Sequence, residues 1–421
     1  MKKRNILVIG GGGREHAIVH KLSQSRRVGK IYALPGNAGI AALAECHPEI
    51  AAINLPAILM FVRSHPDIYM TVVAPDDPLS MGLVDRLDDM CCRVFGPKKK
   101  AAEIESSKVF AKNLMKKYGI PTAAYEVFDD YQAADRYLET CAYPTVIKAD
   151  GLALGKGVII CPDMETAKAG LKNIMKDAAF GSAGSSVVIE EFLTGFEVSV
   201  LAFCDGKTVL PMASSQDHKR AFDGDRGPNT GGMGAFCPSD KYTPALAAKA
   251  YETIFLPTVA ALNAEGREFK GVIYFGLMIN GDDIRVLEYN ARFGDPETQA
   301  VLPRLKNDLF EIFEACINGA LDKITLEYVP DYSVCVVAAS RGYPLAYEKG
   351  KVISLGNLAS GVHLYHAGTI VKDNRLVTNG GRVFGVTALG PDMESARQKA
   401  YDNMKGISFE GMFFRTDIGL K

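Results

Sequence analysis

The chain has 421 residues, of which 48% are hydrophobic and 23% are charged, and its formal net charge is −1. This length accommodates roughly two to four domains. The balance of 48 basic against 49 acidic residues excludes bulk electrostatic attraction to nucleic acid or a membrane surface. The nine cysteines form no C-x-x-C pair and the seven histidines no H-E-x-x-H motif, which argues against a disulfide framework or a zinc site. No apolar run approaches the ~20 residues of a membrane helix, and we expect a cytoplasmic protein.

The first hundred residues alternate short apolar runs with helical patterns. Strands are predicted at residues 6–9, 31–34, 71–74 and 93–95, and the first three end in turns rich in Gly, Pro, Asn or Asp. This alternation predicts a parallel α/β domain over residues 1–104, with its loops gathered where ligands bind. A helical segment is then predicted over residues 101–118.

Four glycines, residues 10–13, follow the first strand directly. A dinucleotide fingerprint needs a third glycine where Glu15 or His16 stands, and an acidic residue about 20 positions further on. The second strand instead ends in Pro-Gly-Asn, residues 35–37. NAD binding is therefore disfavoured, while an anion site at a helix start and a purely structural βα turn both remain open.

A glycine-rich loop joins two apolar runs between residues 144 and 160. It contains Gly151, Gly155, Lys156 and Gly157, and Lys148 closes the incoming strand. The spacing excludes a P-loop, which needs four residues between its glycines and a following helix. A glycine hairpin that closes over phosphates and an ordinary hairpin with two solvated lysines both fit the pattern.

Acidic residues crowd the next predicted strand pair, over residues 187–200. Glu190, Glu191 and Glu197 lie at the bend between the two strands. Buried carboxylates need a partner, and a nucleoside offers an amine and ribose hydroxyls. An acidic surface turn is the alternative interpretation.

A further strand, residues 286–290, ends in a polar sequence. Glu288 and Asn290 are two positions apart and so share one face of the strand. Two oxygen side chains suit Mg²⁺, which also keeps phosphate and water ligands. Arg292 continues the alternation with a group that suits phosphate or carboxylate. A salt-bridged strand end is the alternative.

The remaining pattern predicts a multidomain protein that combines α/β and α+β regions. Residues 105–320 are predicted to form the central domain, with a smaller unit at about 121–195 and a closing helix from Asp308 to Gly319. Residues 325–421 contain short strands and frequent turns, which predict a small β-rich C-terminal domain.

The glycine loop, the acidic bend and the Glu-x-Asn strand, in this order, resemble the ATP-grasp superfamily. Residues 216–235 (QDHKR through GPNTGGMGA) and 290–298 (NARFGDPET), with 12–17 (GGREHA) and 35–39 (PGNAG), resemble the glycinamide ribonucleotide synthetase family. The resemblance covers residues from about 5 to about 419, and it implies that the unit at about 121–195 is a mobile lid. It implies an ATP-dependent ligase of de novo purine synthesis that joins glycine to 5-phosphoribosylamine, and a monomer with transient contacts to neighbouring pathway enzymes.

The resemblance also implies roles for individual residues. ATP would be bound by Lys108, Lys148, Gly155, Lys156, Gly157, Glu190, Glu191, Leu193 and Glu197, with Glu190 accepting from the adenine amine, the Glu191 and Leu193 backbone reading the ring edge and Glu197 holding the ribose. Mg²⁺ or Mn²⁺ would be held by Glu288 and Asn290. The reacting groups would be served by Arg292, Lys219 and Asp295, the last as partner of the glycine ammonium. Phosphoribosylamine would be bound by Gly12, Gly13, Arg14, Asn37 and Asp76.

Two positions depart from the family pattern. Gly276 stands where many ATP-grasp enzymes carry a further acidic metal ligand, and Asp76 replaces a glutamate. Three rival functions stay open at this point: another ATP-grasp ligase of purine synthesis, a nicotinamide oxidoreductase and a non-catalytic nucleotide-binding regulator.

Overall fold

The computed structural model describes residues 2–152, 157–177 and 184–420. All nine cysteines are free thiols.

The N-terminal part is a parallel α/β unit. Its elements are β1 (Arg4–Gly10), α1 (Gly13–Ser23), β2 (Val28–Pro35), a 3₁₀ turn (Ile40–Ala42), β3 (Glu45–Cys46), α2 (Leu55–Ser64), β4 (Ile68–Val73), α3 (Asp76–Ser80), α4 (Leu83–Asp89) and β5 (Val94–Phe95). The strands form one parallel sheet in the order β3-β2-β1-β4-β5. Leu7 and Ile9 enter one apolar core, and Ile6 and Val8 enter another. Burial on both faces explains why β1 is a continuous apolar run.

The predicted single helical segment over residues 101–118 is instead two helices, α5 (Lys99–Ser106) and α6 (Lys108–Tyr118). Ser107 interrupts them with φ −134° and ψ 111°, and its hydroxyl accepts from the Phe110 N–H at 3.0 Å. This N-cap begins α6 afresh, and it sets Glu105 and Lys108 at the junction.

The next part is a four-stranded antiparallel sheet. Its elements are β6 (Tyr125–Phe128), α7 (Tyr131–Tyr137), β7 (Thr145–Ala149), β8 (Val158–Cys161), α8 (Met164–Met175) and β9 (Val187–Glu191). The strand order is β6-β9-β7-β8. Glu190 and Lys148 thus lie on neighbouring central strands.

The part of the chain after β9 contains a second four-stranded antiparallel sheet. The elements of this segment, in chain order, are β10 (Phe196–Asp205), β11 (Val209–Pro211), β12 (Gln216–Asp217), β13 (Arg220–Phe222), β14 (Arg226–Asn229), β15 (Gly234–Cys237), α9 (Pro244–Ala250), a π-helical turn (Tyr251–Phe255), α10 (Leu256–Ala264), β16 (Lys270–Asn280), β17 (Asp283–Asn290), α11 (Glu297–Val301), a 3₁₀ turn (Leu302–Arg304), α12 (Leu309–Asn318) and a 3₁₀ turn (Leu321–Lys323). The sheet order is β11-β10-β16-β17, and β13 and β14 form a separate hairpin.

The helical stretch Pro244–Ala264 is, within the described residues, the one segment long and apolar enough to cross a membrane by length and composition, with a mean hydropathy of 1.2. Forty-four per cent of that window is buried, and Ile254, Phe255 and Leu262 belong to the same apolar core as Leu7. This burial is that of a helix packed on the protein's own core.

The C-terminal part is rich in β-structure, as predicted. Its elements are β18 (Tyr332–Ser340), β19 (Ile353–Leu355), β20 (Val362–His366), β21 (Thr369–Lys372), β22 (Arg375–Thr378), β23 (Arg382–Gly390), α13 (Met393–Met404), β24 (Ile407–Phe409) and β25 (Met412–Phe413). The main sheet runs β12-β15-β18-β23-β20, with β25 beside β18. It therefore takes two strands from the central part of the chain, which joins the two regions. The predicted multidomain α/β and α+β fold is confirmed.

Candidate active site

The C-terminal end of β17 presents the predicted metal-binding pair. Glu288 lies opposite Gly276 on β16, while the intervening Tyr289 is buried in the core. Glu288 and Asn290 thus share one face, as their spacing predicts.

Lys219 links two of the predicted site carboxylates. Its Nζ lies 3.1 Å from Glu197 Oε2 and 3.4 Å from Glu288 Oε1. Attraction to Lys219, reinforced by Lys148 and Lys108, outweighs burial and lowers the pKa of Glu288 to about 2. Burial opposes the charge of Lys219, but the two carboxylates raise its pKa well above the usual value. Glu288 is therefore an anion at neutral pH, beside a fully charged ammonium.

The Glu288–Asn290 pair fits a divalent cation only in combination with a ligand. In residues 2–152, 157–177 and 184–420, no group of three or more His, Cys, Asp or Glu is arranged to hold a metal. Gly276 has no side chain, so this position offers no further acidic ligand, and a Cβ there would lie 3.1 Å from Glu288 Cγ. One carboxylate and one amide oxygen suit Mg²⁺ that takes its other ligands from phosphates and water.

Arg292 lies in a buried carboxylate network. Its Nη2 is 2.8 Å from Glu105 Oε1 and 3.9 Å from Asp76 Oδ2, and Nη2 also donates to Asn290 Oδ1 at 3.3 Å. Its buried Nε–H has no hydrogen-bond partner among the described residues. Burial opposes ionisation of Asp76, but Arg292 and Arg14 lower its pKa below the usual value. A guanidinium with a donor to spare suits an anionic ligand.

Glu105, on α5, escaped the sequence analysis. It accepts from the Ala291 N–H at 2.7 Å through one oxygen and binds Arg292 through the other. Burial raises the pKa of Glu105 to about 7, and attraction to Arg292 opposes that shift. One carboxylate thus fixes both the guanidinium and the backbone beside it.

We expect the stability difference between the wild type and Glu105→Gln to shrink as the pH rises. A folded pKa above the unfolded value of 4.5 means that stabilisation by this group is complete below pH 4.5 and is lost through about pH 7. The shift corresponds to about 3 kcal/mol at most, and glutamine does not titrate. Thermal unfolding of both proteins at pH 5 and pH 8 measures this stability difference. A difference that is the same at both pH values would contradict the raised pKa of Glu105.

Lys108 lies beside the start of the glycine-rich loop. Its Nζ donates to the Gly151 carbonyl at 2.8 Å, and Asp150 accepts from the Val109 N–H at 3.1 Å. Burial lowers the pKa of Lys108, and Glu288 opposes this shift. The predicted ATP ligands Gly155 and Lys156 lie outside the described residues, whereas the Gly157 carbonyl accepts from the Ala149 N–H at 2.8 Å.

A buried ion cluster surrounds Glu190, which is predicted to contact adenine. Glu190 Oε2 lies 3.0 Å from both Lys112 Nζ and Lys148 Nζ. Lys148 also donates to the Leu287 carbonyl at 3.0 Å. The cluster joins β9, β7 and α6 to the strand that carries Glu288.

Glu191 and Leu193, which are predicted to contact adenine, lie at the end of β9 and in the connection to β10. The Glu191 N–H donates to the Ala124 carbonyl at 3.0 Å, and its carboxylate lies 2.7 Å from Arg285 Nη1. The Glu191 side chain and amide hydrogen are thus engaged within the protein, while Leu193 lies in the connection after the strand.

The backbone of the glycine turn after β1 packs closely against two other groups. A Cβ at Gly11 would lie 2.3 Å from the Gly36 carbonyl oxygen, and one at Gly13 would lie 2.6 Å from Gln299 Nε2. Gly12 has φ −89°, whereas Gly10 has φ +120°, a conformation that favours glycine. Close packing rather than backbone strain explains the glycine at 12.

The first turn of α1 contacts the loop between β17 and α11. Glu15 accepts from the Gly12 N–H at 2.6 Å and from Arg14 Nε at 2.6 Å. Arg14 Nη1 donates to the Phe293 carbonyl at 3.1 Å. The turn therefore faces the segment that carries Arg292.

The Asn37 side chain holds the loop after β2. Its Nδ2 donates to the Gly11 and His366 carbonyls at 2.9 and 2.7 Å, and its Oδ1 accepts from the Gly39 and Ile40 N–H groups. A substrate contact through this amide would have to replace one of these bonds.

Asp295 lies between the N-terminal and C-terminal regions. It is 3.1 Å from Arg382 Nη2 and accepts from Gln299 Nε2 at 2.7 Å. Burial opposes its ionisation, but Arg382 and Arg14 lower the pKa of Asp295. It is a buried anion beside the Gly12 turn, where a Cβ on Gly12 would lie 3.6 Å from its Oδ2.

Four contributors to the site were missed: Lys112, Glu105, Arg382 and Gln299. Lys112 is one helical turn after Lys108, a spacing that places both on one face of α6. Arg382 comes from β23, nearly ninety residues after Asp295, and no local signal identifies it.

Comparison with known proteins identifies the family. Family models of phosphoribosylglycinamide synthetase match its N domain at residues 4–105, its ATP-grasp domain at 106–298 and its C domain at 333–421. The phosphoribosylamine–glycine ligase of Caldanaerobacter subterraneus subsp. tengcongensis is 50% identical over 413 residues, covering 98% of this chain and 99% of the relative.

Solved structures give the same result. The crystal structure of phosphoribosylamine–glycine ligase from Thermotoga maritima is 37% identical, with a TM-score of 0.85 and coverage of 98% of this chain and 100% of its own. The biotin carboxylase domain of Hydrogenobacter thermophilus 2-oxoglutarate carboxylase shares the fold at 14% identity, with a TM-score of 0.76 and coverage of 98% and 92%. With all three family domains matched in order, the chain belongs to the phosphoribosylglycinamide synthetase family.

Proposed function

We infer that the protein is an ATP-dependent ligase that joins glycine to 5-phosphoribosylamine in de novo purine synthesis. The products are glycinamide ribonucleotide, ADP and phosphate. The observation that carries this inference is the match over 98% of the chain to a phosphoribosylamine–glycine ligase at 50% identity.

The first chemical step activates glycine. A glycine carboxylate oxygen attacks the γ-phosphorus of ATP, the bond from that phosphorus to the β–γ bridging oxygen breaks, and glycyl phosphate and ADP form. Arg292, with its spare Nε–H, would bind the transferred phosphoryl group, and Lys108, Lys148 and Lys219 would offset charge along the phosphates. Asp295, held ionised beside Arg382, is our candidate partner of the glycine ammonium.

The second step forms the amide. The amine nitrogen of phosphoribosylamine attacks the glycyl carbonyl carbon, phosphate leaves with the C–O bonding pair, and the nitrogen loses one proton. We assign the amine substrate to the Gly12–Gly13 turn, Arg14 and Asp76. Support comes from the contacts of Arg14 and Asp76 with the loop that carries Arg292.

A divalent cation completes the proposed site. Glu288 and Asn290 would hold Mg²⁺ or Mn²⁺, which supplies positive charge to the phosphate oxygens when bound. At the other end of the nucleotide, Glu190 and the backbone of Glu191 and Leu193 would contact adenine, and Glu197 the ribose. We further propose that residues 1–104 contribute the amine site and residues 105–320 the ATP site.

We expect ADP release by the purified chain only when ATP, glycine and phosphoribosylamine are all present. A coupled ADP assay, with glycine and the amine each omitted in turn, measures this. ATP binding without turnover would favour a nucleotide-binding regulator, and tight NAD(H) binding would favour an oxidoreductase. Turnover with a different carboxylate would indicate another ligase of purine synthesis.

A further inference from the structure

Lys112 is a buried lysine that the reaction described above does not use. Its side chain is 3% exposed, as is that of Glu190, and Lys148 is 8% exposed. Lys112 Nζ lies 3.0 Å from Glu190 Oε2 and donates to Thr122 Oγ1 at 2.7 Å. The Thr122 hydroxyl in turn donates to the Val286 carbonyl at 2.7 Å. Lys112 is thereby fixed within the protein and is not placed to contact a phosphate.

Only one of the two carboxylate oxygens of Glu190 contacts the lysines. Both ammonium groups lie 3.0 Å from the same oxygen, Oε2. The other oxygen, Oε1, is buried and has no hydrogen-bond partner among the residues the structure describes. A carboxylate oxygen that is shielded from water and lacks a donor is costly, so a donor supplied by a ligand is the expected complement.

Charge explains why two lysines are needed. A buried carboxylate is retained as an anion only when cations or donors compensate its lost hydration. Burial lowers the pKa of Lys112 to about 8, and attraction to Glu190 opposes that shift. Lys112 therefore still has its charge near neutral pH, and the two lysine side chains flank one carboxylate oxygen.

We propose that Lys112 is a positioning residue that holds the Glu190 carboxylate in its observed orientation, so that its free oxygen selects a purine with an amino group at carbon 6. This rests on the proposed assignment of Glu190 to the adenine ring. An amino group donates to a carboxylate, whereas the keto oxygen of hypoxanthine would face it as a second acceptor. Without Lys112 the carboxylate loses one of its two lysine contacts and is no longer fixed in this orientation, so the preference for an amino group over a keto group should weaken.

The test compares ATP with ITP, which replaces the amino group by a keto group. We expect Lys112→Met to lower the ratio of kcat/KM for ATP to that for ITP about tenfold or more, the effect of one charged hydrogen bond. The KM for ATP should rise while the KM for glycine stays within about twofold. Lys112→Gln, which retains a donor, should restore part of the ratio. Lys116→Met, an exposed lysine one turn further along α6, is the matched control and should keep the wild-type ratio.

Glu190→Gln separates this inference from the proposed function. An amide can donate to a keto group, so this variant should lose more ATP selectivity than Lys112→Met. If Glu190→Gln loses selectivity and folded Lys112→Met retains the wild-type ratio, the role of Lys112 is overturned and the ligase function stands. If wild-type protein shows no glycine-dependent turnover, the proposed function itself fails. Loss of Lys112→Met activity with both nucleotides equally, and an unchanged ratio, would assign Lys112 to stability alone.

Discussion

Glu288→Ala should lower kcat by about 10³-fold or more while the protein stays folded. Removing one group that stabilises transition-state charge typically costs 10²–10³ in kcat. Glu288 also anchors Lys219, whose ammonium lies 3.4 Å from it, so the substitution disturbs two charged groups at once. Steady-state kinetics at saturating substrates and Mg²⁺ measure the loss.

The structure supplies a matched control for this experiment. Asp283 begins the same strand, is exposed and pairs with Arg285 at 2.8 Å. Asp283→Ala should therefore leave kcat within about twofold, because exposed ion pairs contribute little. Full activity of a folded Glu288→Ala protein at saturating Mg²⁺ would refute the assignment of Glu288 as a metal ligand.

Raising the Mg²⁺ concentration distinguishes the two roles of Glu288. If its main role is to bind the cation, Glu288→Asp should recover part of the activity at high Mg²⁺, because a carboxylate is still present. If its main role is to hold Lys219, added cation should not help. Measuring the activity of Glu288→Asp over a range of Mg²⁺ concentrations distinguishes the two outcomes.

Local sequence patterns predicted the elements whose periodicity is simple. Residues 6–9 read as a buried strand because both faces of β1 are covered. Glu288 and Asn290 could be placed on one face because a strand alternates its side chains with period two. The break at Ser107 was missed because the helical pattern on both sides is continuous, and only a capping hydroxyl divides it.

The parts of the site that escaped prediction depend on long-range packing. Arg382 reaches Asp295 through the pairing of β23 with β18, and nothing near residue 382 signals this contact. Glu105 looks like an ordinary helical glutamate in the sequence, yet it is buried against Arg292. The role of Asn37 in substrate binding stays a prediction, and no local pattern indicates that its side-chain amide also holds the backbone of neighbouring loops.

Gly12→Val should raise the KM for phosphoribosylamine at least tenfold and leave the KM for ATP within about twofold. The first atom of the new side chain would lie 2.8 Å from Glu15 Oε2 and 3.6 Å from Asp295 Oδ2. Glu15 is buried and accepts from both the Gly12 N–H and Arg14, so it cannot yield toward solvent. The added bulk therefore displaces groups of the proposed amine site.

The kinetic pattern locates the defect. Loss of binding alone raises KM with kcat nearly unchanged, whereas a misplaced amine lowers kcat as well. Gly12→Ala should show the same pattern more weakly, because it adds one carbon instead of three. Gly406→Ala is a control for the glycine change itself, since its Cβ would meet only ordinary contacts at 3.4 Å or more. Because the ATP-binding groups lie on other elements, a Gly12→Val defect confined to ATP, or tight NAD(H) binding by the wild type, would mean that the turn after β1 binds a nucleotide instead of the amine substrate.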